Sequence, residues 1–261
     1  MIDYSFSYGD LEIYLLIVVR IMTFIYVCPF FGGTQTPNLV KIGYGLCISI
    51  LLYGAVPFYP PEYNTVAGYA VIVLKEAMVG LLVGFSVTLC QQIAAFAGSV
   101  VDMQIGLSMV SMMDPATNQQ VTITGSLYSQ YLTMALILTG MYQYILRALV
   151  DTFTLVPING AMINSDRMLE VMIDFMKDYI VIGFRICLPI FIITFMTNVI
   201  LGVLAKVSPQ MNMFSVGIQI KIIVGLVIMF ITVTMLADAS NFIMINSKEM
   251  IRKFVESMQS G

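Results

Sequence analysis

Histidine is absent from the 261 residues. With it go the commonest metal ligand, the Ser-His and Cys-His nucleophile pairs and the usual proton relay near neutral pH. Cys28, Cys47, Cys90 and Cys187 stand singly in apolar runs with no CxxC spacing, so they read as small buried hydrophobes and not as a metal centre or disulfide framework. Asp102 and Asp238 fall at the ends of apolar segments, a poor arrangement for an intramembrane carboxylate pair that must share a proton. No Walker A, GxSxG or HExxH motif occurs. The charges left inside or beside apolar stretches are Arg20, Lys75, Glu76 and Arg185. Such groups face protein, a backbone carbonyl or water, since lipid cannot solvate them. They therefore mark buried charges, subunit contacts or an ion path. No catalytic residue, cofactor or metal is expected.

The elements that must hold these charges are membrane helices. Hydrophobic residues make up 59% of the chain and charged residues 10%, with a mean hydropathy of +0.92, far from a soluble domain. The expected fold is all-α: an integral membrane protein with about six hydrophobic helical segments, over residues 11–31, 42–58, 69–98, 128–146, 180–205 and 222–237. A net charge of −3 gives no reason to expect nucleic acid. Asp3, Asp10 and Glu12 stand where a signal peptide carries basic residues, so the first segment is expected to be retained. The 21 methionines serve either as core filler or as adaptable contacts that re-form.

Several segments are irregular. The third is longer than one crossing requires; it carries the adjacent pair Lys75-Glu76 and small residues at four-residue spacing, Gly80 with Gly84 and Ala94 with Gly98, the signature of close helix packing in membranes. Gln91 and Gln92 can hydrogen-bond between helices. Asp166, Glu170, Asp174 and Asp178 repeat every four residues opposite Leu169, Met172, Ile173 and Met176, which predicts a separate amphipathic helix whose acidic ridge is either solvated or docks a basic partner. In the fifth segment, Pro189 four residues after Arg185 predicts a kink or break. The sixth is short, and the tail after it is amphipathic, with Ile251, Phe254, Val255 and Met258 on one face and i,i+4 ion pairs on the other. The distribution of basic residues favours a cytoplasmic C-terminus.

The polar interruption lies at residues 100–121. Ile105, Met109, Met112 and Met113 continue one helical stripe until Asp114-Pro115, where the proline disfavours helix in the residue before it. Residues 116–120 are small or amide residues without charge. The stretch is either a connector or a device that blocks something. A small secondary transporter or channel subunit stays open as a reading, because Arg20, Lys75, Glu76, Arg185 and a broken fifth helix are features of ion paths.

The order of residues narrows this. Arg20 precedes Pro29-Phe30-Phe31-Gly32, then Pro37 and Lys41-Ile42-Gly43; Lys75-Glu76 leads into Gly80 and Gly84; Ala97-Gly98 and Asp102-Gln104-Gly106-Leu107-Ser108 run into Asp114-Pro115; Ser208-Pro209-Gln210-Met211-Asn212 precedes Phe214 and Gly217. In this order the chain resembles the FliR/SctT family of type III export-gate proteins, its flagellar branch above all, over nearly its whole length. The resemblance implies one export-gate domain over 1–261 with a plug-like loop at 106–121, an acidic amphipathic segment at 160–179 and an amphipathic tail at 240–261. It implies a non-enzymatic gate subunit in the bacterial inner membrane at the flagellar basal body. Its partners would be FliP and FliQ, with FlhB and FlhA nearby, membrane lipid, and unfolded proteins in transit. Kinked helical hairpins packed in a multi-subunit assembly are the expected architecture. The plug would comprise Gly106, Met109, Met112, Met113, Asp114, Pro115, Asn118, Gln119 and Gln120.

Overall fold

The structure, a computed structural model, describes residues 8–32, 36–55, 63, 65–109, 111–113, 120–161, 165–208, 210 and 213–258. Among them are nine α-helices: α1 (Tyr8–Val27), α2 (Pro29–Gly32), α3 (Asn38–Ala55), α4 (Val66–Ile105), α5 (Ile123–Leu138), α6 (Met141–Leu155), α7 (Ser165–Val207), α8 (Met213–Ile231) and α9 (Val233–Met258). A 3-10 turn, Leu107–Met109, leads into β1 (Ser111–Met113), which pairs antiparallel with β2 (Gln120–Thr122). Three helices are long and apolar enough to cross a membrane (α3, α4 and α7), or five such spans if α5 with α6 and α8 with α9 each count as one bent span. Helix α1 misses that criterion because Asp10, Glu12 and Arg20 share its 20 residues.

The chain forms two compact units. The first comprises residues 1–89, 140–174 and 247–261 and the second residues 90–139 and 175–246, so α4, α7 and α9 contribute to both. In the first unit, α1 buries Ile13, Leu16, Ile17, Ile21 and Phe24 at helical spacing, with Arg20 in the middle of that stripe. Phe31 of α2 stacks on Tyr44 of α3 at 5.5 Å. Tyr63 donates to Glu12 at 2.6 Å, and this bond raises the phenol's pKa. The tail of α9 buries Ile251, Phe254, Val255 and Met258, while Glu249–Lys253 (3.0 Å) and Arg252–Glu256 (2.6 Å) pair on its exposed side.

In the second unit, α4 and α5 lie against each other, with Gln91 donating to Thr133 at 2.9 Å. Residues of α7 such as Phe191, Ile192, Phe195, Met196, Val199 and Ile200 stay exposed. The chain turns by 62° between α8 and α9 at Thr232.

Four expectations change. Residues 128–146 are not one unbroken helix: α5 stops at Leu138, and Gly140 (φ 69°) takes the left-handed conformation that glycine tolerates and a helix excludes. The acidic segment is not a separate helix but the first turns of α7, which runs on unbroken through Pro189. Nothing between Asp178 and Ile180 stops a helix, and a proline inside one removes a single hydrogen bond, leaving the Arg185 carbonyl without its i+4 donor. The sixth segment divides at Thr232, its last residues opening α9. The helical stripe expected to reach Met113 ends at Ile105, because Gly106 (φ 94°) turns the chain out of the helix and into the 3-10 turn and β1.

Candidate functional site

Arg20 and Glu76 meet inside the first unit, and both side chains are 0% exposed. Arg20 Nε donates to Glu76 Oε2 at 2.6 Å. Nη2 is also 2.6 Å from that oxygen, close enough for charge attraction but off the line of a hydrogen bond, so it has no acceptor. Nη1 donates to the carbonyls of Thr152 and Val156, each at 3.0 Å. These belong to the last turn of α6 and its C-cap, where a cation complements the helix dipole; the Thr152 carbonyl also accepts the Val156 N–H at 2.9 Å, whereas the Val156 carbonyl stands past the end of the helix. The guanidinium carbon lies 4.3 Å from the Phe153 ring centre. Glu76 Oε1 accepts the Asn159 N–H at 3.1 Å, and neighbouring Lys75, half-buried, donates to the Asn159 side chain at 3.4 Å. Asn159 itself has φ 65°. One buried pair thus ties α1, α4, the end of α6 and the turn after it.

Glycines let α4 come close enough for that. A Cβ on Gly80 would collide with the Arg20 carbonyl and Thr23 Oγ1, and one on Gly84 would lie 3.0 Å from the Phe24 carbonyl. In the second unit, a Cβ on Gly98 would run into the backbone of Gly125, and one on Gly183 into the Phe96 ring. Ala94, a turn before Gly98, is buried on the same helix.

Where α4 gives way to α5, Asp102 closes the base of the connection. Fully buried, its Oδ2 accepts the Thr124 N–H at 2.7 Å and its Oδ1 accepts the Thr124 hydroxyl. Thr122, the N-cap of α5, accepts from the Gly125 N–H at 3.3 Å. Above this base, Ser111, Met112 and Met113 pair with Thr122, Val121 and Gln120. The result is a helix pair tipped by a two-stranded hairpin.

The family described as bacterial export proteins, family 1, matches residues 11–246. The chain belongs to this family. Among the relatives it resembles, each named flagellar biosynthetic protein FliR, that of Aquifex aeolicus is 25% identical over 94% of this chain and 95% of its own length. That of Bacillus subtilis is 24% identical over 85% and 86%, and that of Escherichia coli 23% over 84% and 83%. The residues singled out from the sequence fall in different parts of the chain. Glu76 and Lys75 both hold Asn159 and Glu76 also meets Arg20, whereas Arg185, exposed on α7 beside Phe242, belongs to the other unit. Gly106 ends α4; of Met109, Met112, Met113 and Gln120 the backbone alone is described, and Asp114, Pro115, Asn118 and Gln119 lie outside the described residues. Thr152, Val156 and Asn159 carry no signal in the sequence, being polar or backbone partners 83 to 136 residues away. Asp102 did carry one: a carboxylate near the C-terminal end of a helix opposes the dipole, which calls for donors from another element.

Proposed function

We propose that this chain is a non-enzymatic structural subunit of the flagellar type III protein export gate, embedded in the bacterial inner membrane at the basal body. It assembles there with FliP and FliQ beside FlhB and FlhA. The observation that carries this reading is the family match along residues 11–246, joined to relatives of similar length that are flagellar biosynthetic proteins. The exposed apolar flank of α7 supports it, since such a surface needs lipid or neighbouring subunits. The buried ion pair supports it as well: Arg20 and Glu76 are sealed from any solute and act as a structural tie, which weakens the transporter reading.

In this reading the hairpin after α4 and the residues it encloses, 114–119, form the plug that holds back ions and yields to an unfolded protein in transit. The rigid base at Asp102 and Gly98 gives such a plug a fixed hinge. Co-purification from native membranes tests the assembly, and recovery of the chain without FliP and FliQ would overturn it. Deleting residues 109–120 tests the plug. Cells should then leak small ions and solutes while the complex still assembles; background leak from an intact complex excludes this assignment.

A further inference from the structure

Within the second unit, one face of α8 reaches both roots of the hairpin. A Cβ added at Gly225 would lie 2.5 to 2.9 Å from Cγ1, Cδ1 and Cγ2 of Ile105, the last residue of α4. One turn further along α8, Met229 Sδ lies 3.8 Å from Oγ1 of Thr124, in the first turn of α5. Gly225 and Met229 are i, i+4 neighbours and share a face, and Ile228 beside them is buried. Ile223, Leu226 and Phe230, on the opposite flank of α8, are exposed.

The two contacts bracket the hairpin, residues 106–123. Ile105 is fully buried, and its branched Cβ leaves χ1 little freedom. It therefore cannot swing clear of a neighbour unless the end of α4 moves with it. The next residue, Gly106 (φ 94°), has open space where a Cβ would stand, so the chain meets no steric resistance to turning immediately past the point that α8 touches. On the return arm, Thr124 is held between the Asp102 carboxylate and Met229. Fixing both roots fixes the direction in which the hairpin points.

We propose that α8 holds the hairpin in its closed position, with Gly225 and Met229 as the positioning residues of its two roots. The inference rests on the reading of the hairpin as a plug and adds the source of its resting position. The missing side chain at Gly225 lets Ile105 seat against α8. A shift of α8 displaces both roots together and re-aims the hairpin about Gly106.

Gly225→Ala pushes the α4 root away from α8. In the full-length chain, purified with whatever subunits accompany it, the amides of Gly106 and Thr124, both bonded to Asp102, should exchange faster by about tenfold, a size that overpacking a core produces. Resting cells should leak small ions while the yield of the complex stays unchanged. Ile105→Ala removes the three carbons in the way, so the Gly225→Ala, Ile105→Ala double variant should close the leak again. Gly217→Ala, on the same helix, is the control: its methyl meets the Leu201 side chain at an ordinary 3.6 Å and should change neither readout. Wild-type exchange and ion retention in Gly225→Ala, a control that leaks as much, or a double variant no tighter than the single overturns the proposal. Should Gly225→Ala fail to assemble, Met229→Ala loosens the other root without a clash; normal exchange at Thr124 and no leak in that variant count against α8. Failure of the plug reading looks different, because deletion of residues 109–120 then gives no leak although exchange at Gly106 still responds to Gly225→Ala. If the deletion leaks and Gly225→Ala does not, the plug stands and only the hold of α8 on it falls.

Discussion

At the scale of single residues, the Arg20–Glu76 pair is more than two charges in contact. Removing one partner of a buried pair costs about 3–5 kcal/mol, because the other charge stays buried and unpaired. Glu76→Gln should therefore lower the yield and melting temperature of the purified protein sharply. Replacing both charges by apolar groups often restores stability in buried pairs, but here it should not. An Arg20→Met, Glu76→Met double variant orphans the Val156 carbonyl and the Asn159 N–H that the pair now satisfies, while the Thr152 carbonyl keeps the Val156 N–H. Recovery of wild-type melting in that double variant would show that the carbonyl contacts are dispensable. Gly98→Ala belongs to the same scale: its new methyl meets the Gly125 backbone, which cannot rotate away as a side chain can, so a loss of about 1–3 kcal/mol is expected in thermal unfolding.

At the scale of elements, the hairpin is held from below. Asp102→Asn weakens a charge-assisted hydrogen bond and leaves a misplaced donor, a cost of about 1–3 kcal/mol. Amide exchange at Thr124 and Gly125 should accelerate while the amides of α1 keep their protection. Because Ser111 and Thr122 are directly paired, cysteines at both positions give a further test. If opening of the hairpin is part of transit, a disulfide between them should block protein export under oxidising conditions, and reduction should restore it; unaffected export in crosslinked cells would separate the hairpin from the gate.

At the scale of the whole molecule, what the sequence made legible was what periodicity and composition record. The all-helical membrane class, the overlong α4, the glycine contacts and the amphipathic α9 tail follow from spacing alone. The interruptions at Gly140, Thr232 and Gly106 were harder to see, because each sits inside an apolar run whose hydropathy does not change. Acidic residues 166–178 looked like a separate helix for the converse reason: polarity changes there while the backbone carries on. The pairing of Arg20 with Glu76 depended on how distant segments meet, which a single sequence does not record. That distance also has a consequence in time. Arg20 precedes Glu76 by 56 residues and Thr152 by 132. At roughly 5–20 residues per second of synthesis, the guanidinium waits on the order of ten seconds for its carbonyl acceptors. The first unit thus stays chemically incomplete through much of translation, and a pause or premature stop before α6 leaves Arg20 without its carbonyl acceptors.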